Sequence, residues 1–319
     1  MDSNTEIEMS LVVPVYNEID NIPEFVNQVL PVVESCTSSY ELIFSVDPST
    51  DGTESCINDL RAQNPRIKMI TFSRRFGQPA ATLAGLEYCG GKCAVVMDVD
   101  LQDPPELIPE MYEKWKSGFD VVYATRTQRD GEKLIKLLIT KLGYSIIGRF
   151  GVVSIPRNTG DFRLMDRRVL SELSKFQETS AFLRGLVALI GFKQTEVLFS
   201  RPKRFGGKGK YNLWIGSLKI GFNGIVGFST ALLNLSTIFG FIFAGTSFVF
   251  GCTYLGLQIA GANFPVGNPT LVFLVLFMGG VQLISIGIIG QYIGRIYDEV
   301  KRRPRYIVDK LAGFSERHQ

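Results

Sequence analysis

Histidine is almost absent from the sequence: the 319 residues include one, His318, beside the last residue. Unless this residue folds back into a site, a Ser-His-Asp triad, a histidine-ligated zinc ion and a histidine general base are not expected. Cysteine is scarce too. Cys89 and Cys93 have no second pair with which to form a zinc site, so the five thiols are predicted to be reduced and structural. A formal net charge of +3 is too small to indicate a nucleic-acid-binding protein.

Charged residues are missing altogether from Ile220 to Gly294, although they make up 20% of the whole sequence. This contrast predicts a soluble domain joined to a membrane domain. Two apolar runs, at about 228–260 and 270–294, exceed the roughly 20 residues needed to cross a bilayer. Basic residues precede the first run and follow the second. Both termini are therefore expected on the cytoplasmic side of the cell (inner or plasma) membrane.

The two predicted spans contain no ionisable side chain, which favours an anchor over a transport path. Gly287, Gly290 and Gly294 have a small-residue spacing that allows close helix contact, so we expect a homo-oligomer. Residues 211–227 mix apolar and basic side chains and are predicted to form an amphipathic helix in the membrane interface. The predicted organisation is a cytoplasmic domain at 1–210, this helix, two spans within 228–294 and a basic cytoplasmic tail at 295–319.

The soluble part alternates between apolar runs typical of buried strands and segments typical of helices. The five predicted strands are Ser10–Val15, Glu41–Val46, Ile67–Phe72, Cys93–Met97 and Asp120–Ala124. This alternation predicts an α/β domain with a Rossmann-like, mostly parallel sheet and helices on both faces. Ligands of such sheets bind beyond the carboxyl ends of the strands. The Gly-x-Gly-x-x-Gly sequence of dinucleotide-binding folds is missing after the first strand, and no P-loop is found.

An acidic motif, Asp98-Val-Asp100-Leu-Gln102, follows the fourth predicted strand. Because residues two apart on an extended chain point the same way, Asp98, Asp100 and Gln102 are candidates to present oxygen atoms together. Two neighbouring carboxylates favour a divalent cation such as Mg²⁺ or Mn²⁺, which could bridge diphosphate oxygens. The alternative is an acidic cluster at a helix start; we assign Asp103 to that role, as a cap before Pro104 and Pro105.

Five motifs in order along the chain resemble those of the family-2 glycosyltransferases with a GT-A fold. They are Pro14-Val-Tyr-Asn-Glu18, the run Asp-Pro-Ser-Thr-Asp-Gly-Thr at 47–53, Ser73-Arg-Arg-Phe-Gly77, Asp98-Val-Asp-Leu-Gln-Asp-Pro-Pro105 and Asp161-Phe-Arg-Leu-Met-Asp166. Within that family the chain is similar to the polyprenyl-phosphate glycosyltransferases, which include dolichyl-phosphate mannose synthases and bacterial bactoprenol-phosphate glucosyltransferases. The two apolar runs and the closing Arg303-Pro-Arg-Tyr-Ile-Val308 favour the bacterial branch.

The resemblance implies roles for individual residues. Positions around the nucleotide sugar are matched by Pro14, Tyr16, Glu18, Asp47 and Asp98. The metal and diphosphate site is matched by Asp98, Asp100 and Gln102. Asp161 matches an acidic residue beside sugar and acceptor, where it orients the sugar or serves as a base, and Asp161 and Asp100 are the implied catalytic residues. Val46 stands where the family usually has the first of two aspartates, so nucleotide preference stays open.

The implied reaction is an inverting transfer of a sugar, with glucose from UDP-glucose favoured, to polyprenyl (undecaprenyl) phosphate at the cytoplasmic face. A phosphate acceptor is already anionic, so positioning and leaving-group stabilisation should matter more than a strong base.

Cationic side chains near the membrane are candidates to bind the acceptor phosphate: Arg126, Lys136, Arg201 and Arg204. Their alternative role is attraction to anionic lipid headgroups. Alternative functions are transfer from GDP-mannose, as in dolichyl-phosphate mannose synthases, and nucleotide-sugar binding without turnover.

Overall fold

The computed structural model describes residues 6–127, 156, 159–176, 178, 183–200, 231–261 and 268–314. The predicted interfacial helix at 211–227 lies outside the described residues, as do three of the four predicted acceptor-binding residues, Lys136, Arg201 and Arg204.

Strands and helices alternate through the first half of the chain. The strands are β1 (Met9–Val15), β2 (Tyr40–Val46), β3 (Ile67–Phe72), β4 (Cys93–Val96), β5 (Val121–Arg126), β6 (Thr159–Asp166), β7 (Gln194–Phe199) and β8 (Val308–Ala312). The helices are α1 (Ile22–Cys36), α2 (Thr53–Gln63), α3 (Gln78–Tyr88), α4 (Ile108–Lys116), α5 (Arg167–Leu173), α6 (Leu183–Ile190), α7 (Ala231–Ile259) and α8 (Asn268–Val300), with a 3₁₀ turn at Pro105–Leu107 before α4.

Within the described residues, eight strands form one sheet in the order β7-β5-β6-β4-β1-β2-β3-β8. Strands β3, β2, β1 and β4 are parallel and nearly fully buried, as their continuous apolar sequences predict. Strand β6 runs antiparallel to both β4 and β5, and β8 runs antiparallel to β3. The sheet is therefore mixed, with antiparallel strands flanking the parallel centre.

Helices cover both faces of the sheet, as expected. One buried apolar cluster joins the sheet to α1, α2 and α4, and a second joins it to α3, α5 and α6. Helix α3 lies so close to the sheet that a Cβ atom added to Gly85 would come within 2.3 Å of the Val12 side chain. Contact at this distance leaves room for glycine alone, and it sets the distance between α3 and the middle of β1.

The first five strands begin and end within two residues of their predicted limits, because each apolar run is bounded by turn-forming residues. One expectation about the acidic motif is wrong. Strand β4 ends at Val96, so Asp98 and Asp100 lie in the following loop and turn instead of on an extended strand. Asp166 caps α5 by accepting a hydrogen bond from the Arg168 N–H at 2.9 Å.

Helix α7 lies within the charge-free part of the sequence, and α8 begins there and extends six residues beyond it. Leu233–Leu257 and Leu274–Val300 are long and apolar enough to cross a membrane, and their apolar side chains are exposed instead of packed in a core. The chain beyond α8, predicted as a basic tail, contains β8, which joins the edge of the sheet beside β3. All five cysteines are free thiols, as expected from the sequence.

Candidate active site

The carboxyl ends of β1, β2 and β4 meet at one edge of the sheet, and the reversed direction of β6 brings its first residues to the same edge. Val15 pairs with Val46, so the loops after β1 and β2 begin side by side. Val96 pairs with Arg163 across the antiparallel ladder. Asp98 follows Val96 by two residues and Asp161 precedes Arg163 by two, so both carboxylates lie beyond the same end of this ladder. The implied nucleotide, metal and catalytic residues thus converge on one edge.

The loops after β1 and β2 are joined by hydrogen bonds that shape the predicted nucleotide pocket. Asn17 has a left-handed backbone (φ 52°), its N–H donates to Ser49 Oγ at 3.0 Å, and its side-chain oxygen accepts from the Thr50 N–H at 2.8 Å. The Glu18 N–H donates to Thr53 Oγ1 at 3.0 Å, while its carboxylate accepts from the Asn21 side chain. These bonds hold Tyr16 and Glu18 in fixed positions at the mouth of the pocket.

The loop that follows β3, residues 73–77, contacts the loops after β1 and β2. The Arg75 guanidinium stacks over the Tyr16 ring with its carbon 3.9 Å from the ring centroid. Asp47, only 2% exposed, accepts hydrogen bonds from the Phe76 N–H at 2.9 Å and the Gly77 N–H at 2.8 Å. Asp47 therefore anchors the 73–77 loop, a role that the resemblance did not imply. Pro14 is buried within β1, two residues before the pocket.

The acidic motif folds into a tight turn. Leu101 has a left-handed backbone (φ 56°), and Asp100, 8% exposed, accepts the Gln102 N–H at 3.1 Å. The Asp98 N–H donates to the Asp103 carboxylate at 3.3 Å, so Asp103 closes the turn. The Asp98 carboxylate accepts a hydrogen bond from the side-chain amide of Gln78, the first residue of α3, at 2.8 Å. Asp98 is thereby tied to the helix that follows the 73–77 loop.

The turn could bind a cation that takes some of its coordinating atoms from a bound ligand and not from the protein. Asp98 and Asp100 supply two hard carboxylate groups within three residues, which is the donor chemistry that Mg²⁺ and Mn²⁺ prefer. Across the described part of the chain, no group of three or more His, Cys, Asp or Glu side chains is arranged to hold a metal ion. A cation bound at this turn would therefore complete its coordination with water and with oxygens of a bound diphosphate.

Asp161 lies among three arginines. The Arg184 Nε donates to Asp161 Oδ1 at 2.9 Å, and both side chains are half-buried. Arg163, on the same face of β6, is 3% exposed, donates to the Gly160 carbonyl at 2.9 Å and has no described hydrogen-bond partner at Nε. Arg126 Nη2 lies 3.5 Å from the point that a Cβ atom on Gly160 would occupy. Three guanidinium groups thus surround one carboxylate, leaving an excess of positive charge.

This cluster sets the protonation state of Asp161. Burial raises the pKa of Asp161, but Arg184, followed by Arg163 and Arg126, outweighs burial and holds the pKa below its usual range. Burial lowers the pKa of Arg163 to about 10, so its guanidinium also stays charged near neutrality. A carboxylate held ionised in this way is a weak base and a good fixed anion.

Sequence reasoning missed Arg184, Arg163, Arg75 and Gln78. Arg184 carried a signal, because it is the only charged residue in the otherwise apolar helix α6. Arg163 also carried one, since it lies two residues after Asp161 and strand alternation puts both side chains on one face. Arg75 contacts Tyr16 and Gln78 contacts Asp98 because of the path that the chain takes after β3. The residue pattern does not predict that path.

Comparisons with known proteins agree with the motifs. Residues 10–174 match the family model described as Glycosyl transferase family 2. The chain is 42% identical over 308 residues, 96% of each protein, to an uncharacterized glycosyltransferase of Synechocystis sp.. It is 38% identical over 304 residues, 95% of this chain and 98% of the relative, to the SfII prophage-derived bactoprenol glucosyl transferase of Shigella flexneri. The solved mannosyltransferase of Pyrobaculum calidifontis with GDP-Man and Mn²⁺ matches 92% of this chain and 85% of its own, at 16% identity and a TM-score of 0.47.

Loss of Arg184 should destabilise the fold through Asp161. Arg184→Gln leaves the half-buried carboxylate without its nearest counter-charge, and we expect a loss of about 1–3 kcal/mol at pH 7. Because the pKa of Asp161 is lowered in the folded state, this difference should shrink as the pH falls below about 4, where the carboxyl group becomes protonated. Denaturant unfolding of the purified protein in detergent measures both effects.

Two further variants make this test specific. Asp161→Asn combined with Arg184→Gln should cost less than the sum of the single variants, because the pair is removed as a unit. Lys175→Gln removes an exposed ion pair with Glu172 and should change stability by no more than about 0.5 kcal/mol. Strict additivity of the two single variants would contradict the assigned pairing.

Proposed function

The chain belongs to glycosyl transferase family 2, and we propose that it transfers a sugar from a nucleotide diphosphate to the phosphate of a membrane polyprenol. The observation that carries the proposal is the convergence of the nucleotide loops, the Asp98–Asp100 turn and the arginine-rich cluster around Asp161 on one edge of the sheet. Relatives named bactoprenol glucosyl transferase, 37–38% identical over nearly their whole length, support a lipid-carrier acceptor and a glucosyl donor.

The proposed donor is UDP-glucose, bound between the 73–77 loop and the loops after β1 and β2. The Arg75–Tyr16 stack presents a planar surface at the mouth of the pocket, which suits contact with a nucleobase. Asp47 and Glu18 supply carboxylates nearby. Both Asp47 oxygens already accept backbone N–H groups, so we propose that it contributes to base binding largely by holding the 73–77 loop.

We propose Asp98 and Asp100 as the protein ligands of Mg²⁺ or Mn²⁺, with Gln102 beside them. When bound, such a cation neutralises negative charge on the diphosphate as it leaves. The protein keeps the turn in shape through Gln78, which holds Asp98, and through the Gln102 N–H, which holds Asp100. Asp100 is the more buried of the two residues.

In the proposed transfer, an acceptor phosphate oxygen attacks the anomeric carbon of the sugar from the face opposite the diphosphate. The new carbon–oxygen bond forms as the bond to the β-phosphate oxygen breaks, and the configuration is inverted. The acceptor oxygen carries no proton that a base must remove, which agrees with the lowered pKa of Asp161. Asp161 and Arg184 then orient the reactants, and the positive charge of the cluster attracts the acceptor phosphate to Arg126.

The membrane is the proposed source of the acceptor. We propose that α7 and α8 cross it as a hairpin with both ends on the cytoplasmic side. Two observations support this placement: β8, beyond α8, joins the same sheet as the candidate site, and basic residues follow the second span. These basic residues are Arg295, Lys301, Arg302, Arg303 and Arg305. An added Cβ atom on Gly287, Gly290 or Gly294 would meet no described atom within 4 Å, which leaves this stripe available to a second copy.

Transfer can be tested directly. Membranes containing the chain, incubated with undecaprenyl phosphate and radiolabelled UDP-glucose or GDP-mannose, should yield label in the lipid extract from UDP-glucose. Asp100→Asn should abolish transfer while the protein stays folded and membrane-bound, because the fixed carboxylate of the turn is lost. Excess chelator should do the same, and added Mg²⁺ or Mn²⁺ should restore it.

Each alternative has its own outcome in this assay. Label entering lipid from GDP-mannose alone would replace the proposed donor. Donor binding without labelled lipid would indicate a binding protein without turnover. Full activity of Asp100→Asn, or in excess chelator, would contradict the metal assignment.

Arg126 should act on the acceptor more than on the donor. Arg126→Gln removes a charged contact with phosphate, and we expect the acceptor KM to rise about 10- to 100-fold while the donor KM stays within about twofold. Arg204→Ala, predicted from the sequence to act similarly, can be compared in the same assay. Lys175→Gln is the matched control. If membrane flotation weakens in Arg126→Gln while the acceptor KM does not change, the residue contacts lipid headgroups instead.

A further inference from the structure

The 73–77 loop and the first residue of α3 contact three of the residues proposed to bind the nucleotide sugar. Arg75 stacks on Tyr16, the Phe76 and Gly77 N–H groups bind Asp47, and Gln78 binds Asp98. These contacts reach the base side and the diphosphate side of the proposed site. The position of this short loop therefore determines the geometry of the whole donor pocket.

The C-terminal segment, residues 306–314, contacts the side of this loop that faces away from the donor residues. The Ser73 N–H, at the start of the loop, donates to the Ile307 carbonyl at 3.0 Å, and β8 continues this contact as an antiparallel ladder along β3. The Tyr306 ring packs edge-on against Phe72, with centroids 5.8 Å apart, and Phe72 packs in the same manner against Phe76 at 6.2 Å. A chain of three aromatic rings thus runs from the C-terminal segment to the residue whose N–H binds Asp47.

Tyr306 is itself fixed in place. Its hydroxyl donates to the Glu87 carboxylate on α3 at 2.5 Å, and burial together with Glu87 raises the pKa of Tyr306, so the hydroxyl keeps its proton. Tyr306 therefore contacts both elements that border the loop, β3 before it and α3 after it. Helix α8 ends at Val300, six residues earlier, and six extended residues span about 20 Å at most. The second predicted span is tied to the donor pocket by this short connection.

We infer that residues 306–312 position the 73–77 loop for nucleotide-sugar binding, with Tyr306 as the positioning residue. This inference rests on the proposed function and adds to it: the chain that leaves the membrane hairpin is a working part of the donor site. The alternative is that β8 merely covers the edge of β3, since an uncovered edge strand is prone to aggregation. The two roles differ in what they predict for donor binding.

Phe314 provides a matched control within the same segment. Its ring packs edge-on against Tyr88 with centroids 5.9 Å apart, and Lys68 lies over it. Lys68 is near the start of β3, whereas Tyr306 contacts the end of β3 from which the loop departs. Phe314→Ala therefore removes an aromatic contact of the C-terminal segment without touching the loop.

The experiment measures steady-state transfer and nucleotide binding in full-length protein in detergent. Tyr306→Ala should raise the donor KM about 5- to 20-fold, with kcat and the acceptor KM within about twofold, and should weaken UDP binding in the presence of Mg²⁺ by the same factor in calorimetry. Tyr306→Phe keeps the ring packing and should remain within about threefold of the unchanged protein. Phe314→Ala should lower the melting temperature without changing the donor KM.

Failure of the inference and failure of the proposed function have different results. If the unchanged protein binds neither UDP nor GDP with Mg²⁺ and labels no lipid, the proposed function is wrong. If it does bind, but Tyr306→Ala and Phe314→Ala change the donor KM equally or not at all, β8 is only an edge cover and the inference is overturned. Should Tyr306→Ala unfold, Tyr306→Leu, which keeps most of the buried volume, is compared with Phe314→Ala by the same criterion.

Discussion

The direction of one strand determines which residues meet in this protein. Because β6 runs antiparallel to β4, Asp161 lies at the beginning of its strand yet reaches the edge where β1, β2 and β4 end. In a wholly parallel sheet a residue at the start of a strand would lie at the opposite edge, far from Asp98 and Asp100. The reversal also places Arg163 and the neighbouring Arg126 around Asp161. The GT-A fold implied by the motifs is confirmed, and this strand is the part of it that assembles the site.

Asp47 is a buried carboxylate that shapes the proposed nucleotide pocket by holding the 73–77 loop. A carboxylate removed from water needs hydrogen bonds to replace its hydration, and here two backbone N–H groups of the 73–77 loop supply them. The loop is thus held near its end by Asp47, which follows β2, and at its start by Ile307, which precedes β8. The second predicted span and the proposed nucleotide pocket are therefore joined by one short connection along the edge of the sheet.

The sequence predicted the parallel centre of the sheet well, because β1 to β4 are apolar runs bounded by turn residues. It did not predict β8, since Val308–Ala312 is short and carries Asp309 and Lys310, as exposed edge strands do. Nor could residue spacing reveal the turn at Val99 and Asp100, or the left-handed backbone of Leu101 that follows it, so Asp98 and Asp100 do not lie on one extended strand. Arg184 lies 23 residues beyond Asp161, and only the packing of α6 against β6 brings them together. Motif order thus identified the family and the candidate residues, whereas long-range contacts determined how those residues are held.

The scarcity of histidine and the state of Asp161 have a common consequence. No histidine is present outside the C-terminal tail, and the arginines keep Asp161 ionised below the usual range of a carboxyl group. Asp161 and the guanidinium groups around it therefore keep their charges throughout the physiological pH range. Such an arrangement is poorly suited to moving protons and well suited to holding anions in a fixed geometry. The proposed reaction between a phosphate and a sugar diphosphate requires fixed binding of anions. It must bring two negatively charged partners together and stabilise the charge on the diphosphate that leaves.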